Sequence, residues 1–323
     1  MTVENFRSLA KVDVPLRPLT VLIGPNDTGK STFVDAIYSL ITLNRSFGVT
    51  DHFRMDQTKP IALSARVGKD SDATTISLRS GADQFKSSPP APHAIWTQVQ
   101  PIERFRVPAN GVVLQCAGYS AEEERQLKLG EDGNRTAALL DYLLRKERKR
   151  FDKMEAAVRN LVAGLTDVVI ETPNPSLRKV SYRFESNLEV PYDAVSAGVR
   201  LCTFFAALAY HPRPPRTVLV EEPENGIHPR RLGEIINLLR QLTSGKAFET
   251  QCQVILTTHS PYLLDHVNAQ EDQVLVFQRQ SDGRCTATPL DVRKIATYSD
   301  DFLLGEIWTN ATEEGLVTPQ KAS

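Results

Sequence analysis

The 323 residues carry 38 lysines and arginines against 39 aspartates and glutamates, and 41% of them are hydrophobic. That length fits one large α/β domain, or a domain with an insertion; the balanced charge excludes an overall nucleic-acid coat but leaves room for a local basic patch. Four widely spaced cysteines, Cys116, Cys202, Cys252 and Cys285, form no CxxC pair, which argues against a zinc site or disulfide scaffold and for a reducing compartment. With no apolar run of membrane-spanning length and no signal-peptide core at the N-terminus, a cytoplasmic protein without a membrane partner is expected.

From Val3 to Thr20 apolar and polar residues alternate (Val12, Val14, Leu16), which predicts the strands of a hairpin. The unbroken apolar and β-branched run Leu19 to Ile23 predicts a strand buried on both faces. It leads into Gly24-Pro25-Asn26-Asp27-Thr28-Gly29-Lys30-Ser31. Thr32 to Leu43 then places Phe33, Ile37, Leu40 and Ile41 at helical spacing. Strand, glycine loop and helix in that order, with G-x-x-x-x-G-K-S between them, are the parts of a phosphate cradle for ATP. The glycines let backbone N–H groups approach phosphate oxygens, and the following helix directs its positive end to the same place. Lys30 supplies charge to the outer phosphates, and the Ser31 hydroxyl can ligate Mg²⁺. The expected nucleotide site comprises Gly24, Pro25, Asn26, Asp27, Thr28, Gly29, Lys30, Ser31 and Thr32.

Residues 44–115 show short strand-like pieces, Ile61 to Val67 and Thr74 to Leu78, and a Ser/Pro-rich stretch, Ser87 to Pro92, expected as a surface loop. From Ala121 to about Leu165 the chain turns charged and helical. An apolar stripe runs through Leu139, Leu140, Leu143, Leu144, Phe151, Met154, Val158, Leu161 and Val162. Arg145, Lys146, Arg148, Lys149 and Arg150 lie on the same helices; they form either a solvated face or a contact for a nucleic-acid backbone. Strands are expected at Val168 to Glu171 and Val180 to Phe184. Helix Leu201 to Tyr210, strand Thr217 to Val220, helix Arg230 to Leu242 and strand Gln253 to Thr257 then alternate, predicting a parallel sheet covered on both faces.

Two carboxylates, Glu221 and Glu222, close the apolar strand that begins at Thr217, where a parallel sheet presents ligands. One can serve Mg²⁺ and the next can orient and deprotonate a water for attack on the γ-phosphate. His259 closes the strand from Val254 and can reach the γ-phosphate through a neutral ring nitrogen.

Together these residues resemble the ABC-type ATPase heads of the RecF, SMC and OLD-like group. GPNDTGKS is similar to their Walker A motif, Val218 to Glu222 to Walker B, Asn225 to His228 to the D-loop and His259 to the H-loop histidine. Val195-Ser196-Ala197-Gly198-Val199-Arg200 resembles the ABC signature, about 20 residues ahead of Walker B, and Asn5 to Leu9 resembles the first strand of those heads. The wording EEPENGIHP and TTHSPYLL, and the helical stretch Leu129 to Leu165, resemble small bacterial ATPases of the same group. The resemblance implies a P-loop NTPase fold of the ABC-type head class, with a mixed N-terminal β region and a helical insertion. Its parts would be an N-terminal lobe (1–118), the insertion (119–166) and a C-terminal lobe (167–323).

The resemblance also implies Glu221 as metal residue, Glu222 as base and His259 as catalytic partner. Arg7 would join the nucleotide site, and Ser196 and Gly198 would meet the γ-phosphate held by a second copy, giving an ATP-dependent homodimer. The sequence departs from the pattern in three places: Walker B ends Glu-Glu rather than Asp-Glu, Ala197 stands for the usual glycine, and His228 replaces an acidic D-loop residue. Gln98, Gln100 and Gln115 all remain open as the Q-loop glutamine.

Four functions compete. The first is an ATP-hydrolysing switch driving a partner or a nucleic-acid process, in DNA repair or anti-phage defence. A transporter subunit is disfavoured by the long separation of Ser31 from Ser196. A nuclease regulator is the third; about 60 residues follow His259, too few for a nuclease domain, so a nuclease or toxin effector is expected on another chain. The fourth is a non-enzymatic module using ATP as glue.

Overall fold

The computed structural model describes residues 1–44, 46–68, 73–80, 86–88, 93–108, 110–245, 251–296 and 302–317. The opening alternation forms β1 (Thr2–Phe6) and β2 (Leu9–Asp13), an antiparallel hairpin, followed by β3 (Leu19–Ile23), buried at every residue. After the glycine loop comes α1 (Lys30–Thr42), whose apolar positions Phe33, Ile37, Leu40 and Ile41 are all buried. Next are β4 (Ala62–Val67), β5 (Thr74–Arg79), β6 (Lys86–Ser88), α2 (His93–Val99), β7 (Ile102–Arg106) and β8 (Gln115–Cys116). The expected loop Ser87 to Pro92 is therefore corrected at its start: Ser87 and Ser88 pair with β5, and the remainder lies outside the described residues.

The charged stretch forms α3 (Thr136–Lys146) and α4 (Arg148–Leu161). They are followed by β9 (Leu165–Asn174), β10 (Leu177–Phe184), β11 (Glu189–Pro191), α5 (Ala197–Ala209), β12 (Thr217–Glu221) and α6 (Leu232–Ser244). The last elements are β13 (Gln253–Thr257), α7 (Pro261–Leu264), β14 (Gln273–Arg279), β15 (Cys285–Pro289), α8 (Val292–Ala296) and α9 (Leu304–Leu316). Among the described residues no helix is long and apolar enough to cross a membrane.

The chain forms two compact units, one of residues 1–102 with 253–323 and the other of residues 103–252. The divisions expected at 118/119 and 166/167 mark changes of sequence character; the units part elsewhere because strands from the last third pair back with β3. In the first unit the strand order is β6-β5-β4-β1-β2-β15-β14-β3-β13. β13 and β14 flank β3 in parallel, whereas β1, β2, β4, β5 and β6 pair antiparallel, so the sheet is mixed rather than wholly parallel. Side chains on both faces of β3 are buried, and all but Thr20 are apolar, as suits a central parallel strand.

The second unit contains the pair β12–β7 and a sheet ordered β11-β10-β8, with β9 also on β10. The apolar stripe of α3 and α4 is buried there. Leu139, Leu140, Leu143, Met154 and Val158 are wholly covered, with α4 packed on α5 and β9.

Candidate functional site

In the first unit the register pairs Leu22 of β3 with Thr257 of β13 and with Leu275 of β14. β3 and β13 therefore end at nearly one level while β14 runs on to Arg279, and the residues that follow, Gly24 after β3 and His259 after β13, emerge on the same edge of the sheet. Gly24 has φ 136°, and a Cβ there would run into the Phe277 carbonyl oxygen of β14. Gly29 has φ 98°, with Leu9 and Ser8 side chains only 3.0 and 3.1 Å from where its Cβ would lie. At both positions the left-handed backbone and the crowding require glycine. Thr28 Oγ1 donates to the Pro25 carbonyl at 2.8 Å, which tightens the turn.

Gly29 is the N-cap of α1 and brings no side-chain cap, so the first N–H groups of that helix open onto the loop. Lys30 is buried, and its Nζ donates to the Gly24 and Pro25 carbonyls, both at 2.8 Å. Ser31 is exposed beside it. An uncapped helix start, two left-handed glycines and an ammonium folded over the loop fit a polyphosphate. The hydroxyl of Ser31 is the hard oxygen that Mg²⁺ takes.

His259 is fixed on both sides. The Thr258 N–H donates to the Leu22 carbonyl at 3.0 Å, continuing the ladder, and Ser260 caps α7 by accepting from the Leu263 N–H at 3.4 Å. Arg7, in the tight turn between β1 and β2, donates through Nε to Asp51 at 2.9 Å and through Nη1 to Asp35. Asp35 stands one turn beyond Ser31 on α1. Burial pushes the Asp51 carboxyl up, but hydrogen bonds from the Gly48 N–H and Arg7 outweigh it and hold the group below its ordinary range.

In the second unit Val218, Leu219 and Val220 are fully buried and Glu221 ends β12. Its Oε1 accepts from Arg104 Nε at 2.7 Å and from Arg106 Nε at 2.9 Å. Glu222 has φ 53°, an uncommon conformation for a side chain of its size, and its Oε2 accepts from Asn225 Nδ2 at 2.7 Å. The backbone thus turns sharply just where the second carboxylate must leave the strand. The donor chemistry of both glutamates, hard carboxylate oxygens, also suits Mg²⁺.

Ser196 is the exposed N-cap of α5 and accepts from the Val199 N–H at 3.4 Å. A Cβ on Gly198 would lie 2.9 Å from the Gly226 carbonyl oxygen, and one on Gly111 would lie 2.9 Å from Ala197. Arg200 donates to the Asn110 carbonyl at 2.5 Å. The signature-like turn, the D-loop-like turn and the segment after β7 are therefore packed backbone against backbone. His228 is exposed and accepts from the Arg230 N–H at 3.2 Å, which places it as a turn residue.

The structure gathers the phosphate loop, Arg7 and His259 within one unit, and Glu221, Glu222, Ser196 and Gly198 within the other. Sequence reasoning missed Arg104 and Arg106 on Glu221, and it named Asn225 as the start of a D-loop-like turn without its bond to Glu222. The one signal was the alternation Glu103-Arg104-Phe105-Arg106, which puts both arginines on one face of β7 and buries Phe105 on the other, edge-on to Phe204 at 5.0 Å. Of the three open glutamines, Gln100 donates to the Ile41 carbonyl at the end of α1 at 2.7 Å, Gln115 lies in β8 and Gln98 is exposed. In the basic cluster Arg145 pairs with Asp141 at 2.7 Å, Arg148 with Asp152 at 2.8 Å and Arg150 with Glu147 at 3.7 Å, while Lys146 and Lys149 are exposed.

Two further titratable groups of the second unit are buried. Desolvation raises Glu103 to about 7 while it accepts from the Leu129 N–H at 3.0 Å. Desolvation lowers His211 to about 4, with Nε2 2.8 Å from the Leu127 carbonyl and Nδ1 accepting from the Arg213 N–H at 3.0 Å.

Residues 19–265 match the family model described as "AAA domain, putative AbiEii toxin, Type IV TA system". Among curated proteins, an OLD nuclease of Thermus scotoductus is 26% identical over 341 residues, an alignment covering 87% of this chain and 62% of the relative. The chain thus spans about three fifths of that relative's length. Among solved structures, an Smc head bound to the C-terminal winged-helix domain of ScpA superposes with a TM-score of 0.60 at 16% identity, covering 92% of this chain and 98% of the other. An Smc head from Pyrococcus furiosus, with an extended coiled coil and bound to the C-terminal domain of ScpA, gives 0.58 at 14% identity, covering 93% and 98%. The fold is that of the SMC-head P-loop ATPases.

Proposed function

We propose, from the premise that this chain belongs to the family of AAA domains described as putative AbiEii toxin of type IV TA systems, that it is an ATP-hydrolysing switch. In this reading two copies close on nucleotide and drive a partner in a nucleic-acid process such as DNA repair or anti-phage defence. The observation that carries it is the loop from Gly24 to Ser31, with its forced glycines, uncapped α1 start and inward-folded Lys30.

The backbone N–H groups of the loop and of α1 hold phosphate oxygens, and Lys30 exchanges its two carbonyl partners for the outer phosphates. Magnesium, when bound, neutralises charge on the phosphates; Ser31 and Glu221 are the residues of this chain that would hold it. Glu222, held through Asn225, orients and deprotonates the attacking water, and His259 supports the γ-phosphate. Ser196 and Gly198, at the N-terminus of α5, would meet the phosphates held by a second copy.

Two measurements test this. Wild type should release phosphate from ATP in a magnesium-dependent way and Glu222→Gln should not; absence of release from both sinks the enzymatic reading. Light scattering of Glu222→Gln with ATP should show a stable dimer, and a monomer with and without ATP overturns the two-copy model. A second reading, an ATPase subunit regulating a nuclease or toxin effector, draws support from the similarity of this chain to an OLD nuclease.

A further inference from the structure

The phosphate loop sits on two strands that carry none of the motifs, β14 and β15. A Cβ on Gly24 would meet the Phe277 carbonyl oxygen of β14, and a Cβ on Gly29 would lie 3.2 Å from the Cβ of Cys285 in β15. β15 meets β2 where Cys285 pairs with Leu9, and the Cys285 N–H donates to the Ser8 carbonyl at 2.9 Å. Ser8, Leu9 and Cys285 together crowd Gly29 from below. Cys285 is 1% exposed, and its thiol donates to the Asp27 carbonyl of the loop at 3.6 Å. Asp27 has φ 60°, in the left-handed region that a side chain of its kind adopts only with support.

A cradle for anions must turn its carbonyl oxygens away, because their partial negative charge repels phosphate. The Gly24 and Pro25 carbonyls are held by Lys30, which exchanges them for the outer phosphates when nucleotide binds. The Asp27 carbonyl is held from outside the loop, by a strand. The Asp27–Thr28 peptide is trans, so its C=O and N–H point to opposite sides. A carbonyl anchored on β15 therefore directs the Thr28 N–H away from the sheet. We propose that Cys285 is a positioning residue of the phosphate loop, its thiol holding the Asp27–Thr28 peptide with the N–H turned towards the phosphates. This rests on the nucleotide-binding reading above. A thiol is a weak donor, so the contribution is modest, but it draws on none of the loop's own groups and persists when Lys30 moves.

The test titrates fluorescent methylanthraniloyl-ATP with Mg²⁺ into the full chain for wild type, Cys285→Ala, Cys285→Ser and Cys252→Ala. Cys252 is equally buried but precedes β13, whose first residues pair with the start of β3 rather than with its loop end. Losing the donor in Cys285→Ala is expected to raise Kd about threefold or more, and the hydroxyl of Cys285→Ser should bring it back to within about twofold of wild type. Cys252→Ala should lower the melting temperature with Kd unchanged; were Cys285 a packing residue alone, its alanine variant would do the same. A wild-type measurement needs no variant: Mg-ATP should slow N-ethylmaleimide labelling of Cys285, read by mass spectrometry, more than that of Cys252. An unchanged Kd in Cys285→Ala, equal weakening in Cys285→Ser, or equal slowing at the two cysteines overturns the role of Cys285 and leaves nucleotide binding intact. If wild type binds no nucleotide, the proposed function fails and this role with it.

Discussion

Replacing Gly24 by alanine probes the phosphate loop most directly, and Gly283 supplies its control. Both have positive φ, 136° and 85°, but a Cβ at Gly283 meets nothing within 4 Å, whereas one at Gly24 meets the Phe277 carbonyl oxygen. Holding a side chain in such a backbone conformation costs about 1–3 kcal/mol at either site. Gly24→Ala adds the cost of moving β14, whose carbonyl belongs to a strand and cannot swing aside like a flexible side chain; overpacking of that kind costs about 1–3 kcal/mol more. The totals are about 2–6 kcal/mol for Gly24→Ala and about 1–3 kcal/mol for Gly283→Ala. Urea unfolding of the two variants, run beside nucleotide binding, measures the difference. Equal destabilisation, or intact binding by Gly24→Ala, would show that the loop is not held as described.

Other predictions follow from the second unit. Arg104→Ala leaves a nearly buried Glu221 with one exposed partner and should cost about 3–5 kcal/mol, while Arg148→Ala, at an exposed pair, should cost less than about 1 kcal/mol; thermal and chemical melts compare them. Glu103, raised to about 7, contributes stability that is complete below its unfolded value and lost as pH rises through about 7; denaturation of Glu103→Gln should lack that loss. His211, lowered to about 4, contributes stability present above its unfolded value and lost as pH falls towards about 4, so a His211→Gln variant should show a flatter acid limb. A salt-dependent gel shift with duplex DNA, repeated with Lys146 and Lys149 neutralised, tests the helical patch. With Arg145, Arg148 and Arg150 already paired to acids, these two lysines should account for most of any shift lost.

What the sequence made legible was local. The spacing from Gly24 to Ser31, the unbroken run of β3 and the carboxylates closing β12 are each read within a dozen residues, and each lies where a strand end was expected. The partners of Glu221 lie 117 and 115 residues away, on a strand in the region where periodicity was weakest. No local pattern announces a pairing at that distance; it depends on β7 joining β12, which only the sheet order reveals. The basic cluster was legible only in part, for a related reason. Its acids, Asp141, Asp152 and Glu147, are three or four positions away on the same helices, so a count of positive residues overstated the field.

The seating of β3 has a consequence for how the protein is made. Both of its neighbours come from the far end of the chain: Leu19 meets Val254 and Thr20 meets Gln273. On the ribosome, then, the phosphate loop emerges long before either of its supports. A chain halted before Gln253 would leave an apolar strand with both ladder edges unsatisfied, a form suited to chaperones or to aggregation. Residues 103–252 form a compact unit of their own and can complete their contacts meanwhile. Competence to hold nucleotide is thereby tied to synthesis of the last third of the chain.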